Sequence, residues 1–143
     1  MNDHLAGWLQ QLGGMTQLTA DLNNAFETGD KRKAITLGVG GTTASPILYT
    51  KKFAYWDPAN KAKAVKFPVY RYADALLMLA ECLHEASFPN AQAFRLLNQV
   101  RTHAGLPAKT QASTVIALLV DSKAAFRLAI EQERQVEPTA PRR

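Results

Sequence analysis

The sequence is poor in the residues that form covalent or metal cross-links. Its single cysteine, Cys82, excludes an intrachain disulfide framework. Cys82 lies among leucines in a predicted helix, where we expect it to be a small buried apolar side chain. The three histidines, His4, His84 and His103, are dispersed and lack the spacing of metal ligands. We therefore predict no disulfide, no metal site and no cofactor.

Long hydrophobic runs are also missing. No apolar run approaches the roughly 20 residues that a membrane-spanning helix requires. The first residues, MNDHLAGWLQQL, lack the basic start and the continuous apolar stretch of a signal peptide. At 143 residues the chain is long enough for one hydrophobic core, and 47% hydrophobic residues suit a globular protein. We predict a single domain over residues 1–143.

Acidic residues are scarce between residues 31 and 71, where lysine and arginine crowd together. The formal net charge of the chain is +5. A basic face can attract nucleic acid or another anionic polymer. Such a run more often forms a solvated surface, so we predict no nucleic-acid partner.

The stretch Pro68–Leu106 predicts two helices joined by a tight connection. Apolar residues recur at helical spacing, as Ala73, Leu76, Leu77, Ala80 and Leu83 and then as Phe94, Leu97, Val100 and Ala104. Asn90 is a plausible N-cap for the second helix, and Gly105 followed by Pro107 is a good stop signal. Two short helices joined this closely pack antiparallel, as in tetratricopeptide-type hairpins.

The residue string of this hairpin is more specific than its periodicity. Residues 68–85 read PVYRYADALLMLAECLHE, and residues 97–107 read LNQVRTHAGLP. Both closely resemble strings of the SusD/RagB family, which are nutrient-binding lipoproteins of the outer membrane. The matching positions are Pro68, Arg71, Tyr72, Ala73, Asp74, Leu76, Leu77, Met78, Ala80, Glu81 and Glu85, then Asn98, Val100, Arg101, Ala104, Gly105 and Leu106. Cys82, His84 and His103 depart from the residues that the family usually has there.

Two further segments resemble the same family, one on each side of the hairpin. Upstream, a predicted helix over residues 18–27 precedes the candidate strand Ala34–Leu37. The matching positions there are Leu22, Ala25, Phe26, Glu27, Gly29, Asp30 and Arg32. Downstream, a helix predicted to begin near Ser122 carries the matching positions Ala129, Ile130, Glu133, Arg134 and Glu137.

The region between the candidate strand and the hairpin predicts a loop and a strand. Gly38–Thr43 resembles a phosphate-cradling glycine loop, but it lacks the lysine of such loops and no helix pattern follows, so we interpret it as a flexible connection. Ile47–Trp56 is rich in β-branched and aromatic residues, which predicts an extended segment. Its aromatic residues Tyr49, Tyr55 and Trp56 are candidate ligand contacts, because aromatic faces stack on sugar rings. The alternative is that they pack the core of a half-buried strand, which is the commoner role.

The charged residues of the hairpin invite a catalytic interpretation that the sequence does not support. Asp74 and Glu81 lie two turns apart on the predicted helix, a spacing that paired carboxylates of a hydrolase could use. Catalysis would also need a raised pKa and a cleft between them. We interpret Arg71, Asp74, Glu81 and Arg101 as structural instead. We expect the two arginines to pair with Glu81 or Asp74 across the hairpin, and we predict no catalytic residue.

The family resemblance implies a mostly α fold, with tetratricopeptide-like helical hairpins and a short extended, loop-rich segment. It implies a non-catalytic protein at the outer-membrane surface that binds an oligosaccharide or another nutrient. Such a protein passes its ligand to a SusC-like TonB-dependent transporter. The alternative is a small helical-hairpin module that binds a protein partner.

Members of the family are much longer than this chain and begin with a lipoprotein signal and an anchoring cysteine. The resemblance covers only their C-terminal part, and the family pattern breaks off after Glu137. We therefore expect a fragment or a truncated paralogue. An apolar face that has lost its partner would promote self-association.

Overall fold

The computed structural model describes residues 18–42, 45–50 and 70–137. These residues form five α-helices, one short 3₁₀ turn and one two-stranded sheet. The elements are α1 (Ala20–Ala25), α2 (Lys31–Thr36), β1 (Leu37–Thr42), β2 (Ser45–Thr50), α3 (Tyr72–Ala86), α4 (Ala91–His103), the 3₁₀ turn Ile116–Leu118 and α5 (Lys123–Val136). The predicted mostly α fold with a short extended segment is confirmed. Within these ranges, no helix has both the length and the apolar character needed to cross a membrane.

Both ends of α4 follow the local capping chemistry that the sequence predicts. The side chain of Asn90 accepts hydrogen bonds from the backbone N–H groups of Gln92 and Ala93, each at 3.0 Å, at the start of α4. Gly105, just after α4, has φ of +80°, the left-handed conformation that glycine adopts most easily. At the start of α3, the backbone N–H of Arg71 donates to Oδ2 of Asp74 at 2.8 Å.

The main core lies where α5 packs on the α3–α4 hairpin. Leu77, Leu97 and Phe126, one from each helix, are completely buried. The surrounding cluster contains Leu76, Leu77, Ala80, Ala93, Leu97, Val100, Val120, Phe126, Ala129 and Ile130. Burying one such leucine or phenylalanine stabilises the fold by about 1.5–3 kcal/mol, so this cluster is the main stabilising contact between the three helices.

A smaller apolar cluster attaches the first helices to the end of α5. It consists of the buried side chains of Phe26, Leu37 and Val136, against which Leu18, Leu22 and Ala25 pack. The cluster joins the stretch before the sheet to the helix that ends the described part of the chain.

The predicted strand Ala34–Leu37 is wrong for its first three residues, which belong to α2. Asp30 caps α2 by accepting a hydrogen bond from the backbone N–H of Arg32 at 2.9 Å, and this cap starts a helix that runs to Thr36. The interpretation of Gly38–Thr43 as a flexible connection is also wrong for residues 38–42. They form β1, antiparallel to β2, with Gly38 opposite Tyr49. Of the predicted extended segment 47–56, residues 47–50 lie in β2 and the rest lie outside the described residues.

Cys82 is exposed, contrary to the expectation that it is buried. It follows the buried Ala80 by two positions, which turns it by about 200° around the helix axis, onto the outer face of α3. Leucine neighbours in the sequence did not reveal this, because Leu79 is also exposed.

Candidate functional site

Tyr49 is the one predicted ligand residue that the described part of the chain includes. It is half-buried in β2, opposite Gly38 of β1. A Cβ atom added at Gly38 would lie 2.7 Å from Cε2 of Tyr49, so the tyrosine ring covers the glycine backbone. This packing accounts for the position of Tyr49. Tyr55 and Trp56 lie outside the described residues.

Arg101 of α4 lies at the centre of a cluster of buried charges. Its side chain is completely buried. Nη1 contacts Oε1 of Glu27 at 2.7 Å and Oε1 of Glu133 at 2.6 Å, while Nη2 contacts Oε2 of Glu27 at 3.0 Å. Nε donates to the carbonyl oxygen of Pro107 at 3.0 Å. One guanidinium therefore ties the loop after α1 and helix α5 to α4.

Arg32 of α2 is a second buried arginine, and it shares an acidic partner with the first. Its Nε and Nη2 donate to the carboxylate of Asp30, the latter at 2.7 Å. Its Nη1 lies 3.0 Å from Oε2 of Glu133 and 3.0 Å from Oε2 of Glu137. Glu133 therefore bridges the two arginines with its two oxygens. We call the set Glu27, Asp30, Arg32, Arg101, Glu133 and Glu137 the charge network.

The pKa shifts in this network favour the charged form of each shifted group. The hydrogen bond from Arg101 outweighs burial and holds the pKa of Glu27 below its ordinary value. Burial alone would lower the pKa of Arg32, but its hydrogen bond to Asp30 and the charge of Glu133 raise it. The same balance raises the pKa of Arg101, whose acidic partners are Glu27 and Glu133. The pair of Glu27 and Arg101 therefore stays ionised at neutral pH.

The partners that we predicted for the hairpin arginines are wrong for Arg101. Its carboxylates come from outside the hairpin, and Glu81 pairs instead with Arg134 of α5, at 2.6 Å. Asp74 caps its own helix through the backbone N–H of Arg71. The Arg71 side chain reaches α5, where Nη1 donates to the carbonyl oxygen of Glu137 at 2.8 Å. The structural role assigned to these residues stays a prediction, because no measurement of stability tests it.

An open groove of about 820 Å³ begins where Arg71 meets Glu137. One wall is the N-terminal turn of α3, and the other wall is the last two turns of α4. The lining residues are Arg71, Tyr72, Ala73, Leu76, Gln99, Val100, Thr102, His103 and Glu137. Its volume falls within the range of about 300–1,000 Å³ that is usual for ligand sites. Glu137 belongs to both the groove and the charge network, so the buried charges support one end of the groove.

A family model, that of the SusD family, matches residues 38–139, which is more than half of the chain. The chain belongs to the SusD family. The resemblance seen in the sequence strings is therefore confirmed. No curated protein and no solved structure is a significant match to the chain.

The match to the SusD family covers all the described residues that line the groove, and the C-terminal half of the charge network. Arg101, Glu133 and Glu137 lie inside the matched range, whereas Asp30 and Arg32 precede it. Three charged positions that resemble the SusD strings, Arg101, Glu133 and Glu137, therefore pair in the interior.

Sequence reasoning identified the members of the charge network as motif positions but not as one cluster. The sequence feature that indicates a buried cluster is the position of two charged residues on apolar helix faces. Arg101 lies four residues after the buried Leu97, and Glu133 lies four residues after the buried Ala129. A charged side chain on a buried face needs an oppositely charged partner, so this spacing predicts that Arg101 and Glu133 are paired.

The groove residues were also missed. The signal there was weaker: Gln99, Thr102 and His103 recur at i, i+3 and i+4 on one side of α4. Among residues 18–42, 45–50 and 70–137, no group of three or more histidine, cysteine, aspartate or glutamate side chains is placed to hold a metal ion.

Proposed function

We propose that this chain serves as the nutrient-binding component of an outer-membrane uptake system. It would hold an oligosaccharide or another nutrient at the cell surface and pass it to a SusC-like TonB-dependent transporter. The observation that carries the proposal is the SusD family match over residues 38–139. The groove beside the charge network supports it, because a binding protein needs a concave surface on a rigid base.

Glu27 and Glu85 do not have the pKa of a general acid. The pKa of each of these two carboxyl groups is lowered. Hydrogen bonds from Arg101 act on Glu27, and those from Arg127 and Lys123 lower the pKa of Glu85 to about 2. A general acid in a hydrolase needs a carboxyl group that keeps its proton near neutral pH, which is the opposite shift.

We include Tyr49, Tyr55 and Trp56 in the proposal as ligand contacts, on the chemical ground that aromatic faces stack on sugar rings. For Tyr49 this role would come in addition to packing over Gly38. Its half-buried ring leaves part of its surface available.

A glycan-array screen of the purified chain tests the proposal. We expect binding by the unmodified chain and weaker binding by the Tyr55→Ala/Trp56→Ala double variant. Tyr70→Ala serves as the matched control, because Tyr70 is 74% exposed and does not line the groove. Circular dichroism of each sample checks folding. A folded chain that binds neither glycans nor a peptide library would contradict the proposed function.

A further inference from the structure

The groove between α3 and α4 combines an aromatic ring, an apolar floor and a set of uncharged polar groups. We propose that it binds a short segment of a neutral oligosaccharide, an inference that rests on the proposed nutrient-binding function and gives it a place on the molecule. The ring of Tyr72 is the stacking face, and Gln99, Thr102 and His103 bond the sugar hydroxyls.

Tyr72 supplies the stacking face. Tyr72 is 73% exposed at the first position of α3, whereas Ala73 and Asp74 are partly buried. Ala73, Leu76 and Val100 form apolar lining beside it. A pyranose ring has one face of C–H groups, and such a face is complementary to an exposed aromatic ring next to apolar surface.

The polar wall comes from α4. Gln99, Thr102 and His103 lie at i, i+3 and i+4, so the helix presents all three to the groove. None of their side chains has a hydrogen-bond partner among the described residues. Together they offer an amide, a hydroxyl and an imidazole, which both donate and accept hydrogen bonds. Sugar hydroxyls also donate and accept, so this set of free groups fits them.

An ion pair between Arg71 and Glu137 forms one end of the groove. Nη2 of Arg71 lies 3.5 Å from Oε1 of Glu137, and the other oxygen of Glu137 is held by the buried Arg32 at 3.0 Å. Because Glu137 is held from the interior, the ion pair that faces the groove is pre-organised. A paired cation and anion favour a neutral ligand over an acidic or a basic one.

Binding assays with the complete chain test the groove. The neutral probes are maltoheptaose, cellohexaose, mannohexaose and laminarihexaose, and an oligogalacturonate is the acidic comparison. We expect Tyr72→Ala to weaken binding of the preferred neutral probe about tenfold or more, as loss of an aromatic contact predicts. Gln99→Ala/His103→Ala should weaken it as well, whereas Tyr72→Phe and the control Tyr70→Ala should bind as the unmodified chain does.

Each outcome separates the groove from the function. Unchanged binding by both Tyr72→Ala and Gln99→Ala/His103→Ala overturns the groove, and the proposed function then stands if Tyr55→Ala/Trp56→Ala loses binding. A preference for the oligogalacturonate overturns the neutral-ligand class. A folded chain that binds none of the neutral probes also overturns the proposal that the groove binds a neutral oligosaccharide. The proposed nutrient-binding function is contradicted as well only if the chain also fails to bind other nutrients. Thermal unfolding of every variant excludes loss of binding through loss of fold.

Discussion

Glu133 is the residue on which the buried charges depend most. It is 1% exposed, and each of its two oxygens contacts a different buried arginine. Removing one member of a buried ion pair leaves the other charge without compensation, which costs more than the pair itself contributes.

We expect Glu133→Gln to lower the free energy of unfolding by about 3 kcal/mol or more, because Arg32 and Arg101 would then share too few carboxylates. Urea denaturation measures the change. Glu131→Gln is the matched control on the exposed side of the same helix, and it should change stability little. Equal effects of the two substitutions would show that the network is not stabilising.

His84 is a buried histidine whose pKa is lowered in the folded chain. It is 1% exposed and stacks on Phe126, with ring centroids 4.5 Å apart. Burial lowers the pKa of its imidazole, and the charges of the nearby Lys123 and Arg127 lower it further. The charge of Glu85 acts in the opposite direction, with Oε1 of Glu85 3.8 Å from Nε2 of His84. The folded chain therefore holds this imidazole neutral at a pH where the unfolded chain already binds a proton.

A lowered histidine pKa means that the unfolded state binds more protons, so stability is complete above the ordinary pKa of 6.5 and falls as the pH drops below it. We expect the free energy of unfolding to decrease between pH 7 and pH 5.5, and His84→Phe to flatten that decrease. Denaturation series at several pH values measure it. An unchanged slope in His84→Phe would contradict the prediction.

The β1–β2 pair shows how one glycine fixes the packing of an element. The Tyr49 ring occupies the space that a side chain at position 38 would need. Even a methyl group at position 38 would meet the Tyr49 ring.

We expect Gly38→Ala to destabilise the protein by about 1–3 kcal/mol, the usual cost of overpacking. Thermal unfolding measures it. Val39→Ala is the comparison on the neighbouring residue, which is 69% exposed, and it should cost less. In Gly38→Ala/Tyr49→Ala the clash is gone, so the double variant should be more stable than the sum of the single effects predicts. If the effects of the two single substitutions on stability simply added, the Tyr49 ring would not be in contact with position 38.

The elements that sequence predicted well are those whose ends are set by nearby residues. Asn90 and Gly105 act within a few positions of themselves, so the bounds of α4 follow from local chemistry. Helix α2 was missed because its cap, Asp30, is held by Arg32, and Arg32 is held by Glu133 and Glu137, about a hundred residues away. The residues near α2 in the sequence do not include Glu133 and Glu137, so they do not reveal this pairing. The groove was missed for the same reason, since its walls meet only after the hairpin has packed.

The outer face of α3 remains apolar in the described part of the chain. Met78 and Leu79 are 43% and 45% exposed. Such a face promotes association between copies when nothing else covers it.

We therefore predict that the isolated chain self-associates through this face. Light scattering should give a mass that rises with protein concentration, and Leu79→Glu should reduce the rise. Gln92→Glu adds the same charge at an exposed position of α4 and should not. A monomer over a wide concentration range would refute the prediction.

The charge network joins residues that are distant along the chain. Glu27 and Arg32 lie on one side of residues 51–69, whereas Arg101, Glu133 and Glu137 lie on the other. The cluster of Phe26, Leu37 and Val136 spans the same divide. A single break in the backbone between residues 50 and 70 would therefore leave two pieces still bound to each other. We expect the two pieces to behave as complementary fragments, because side-chain contacts join them as well as the backbone.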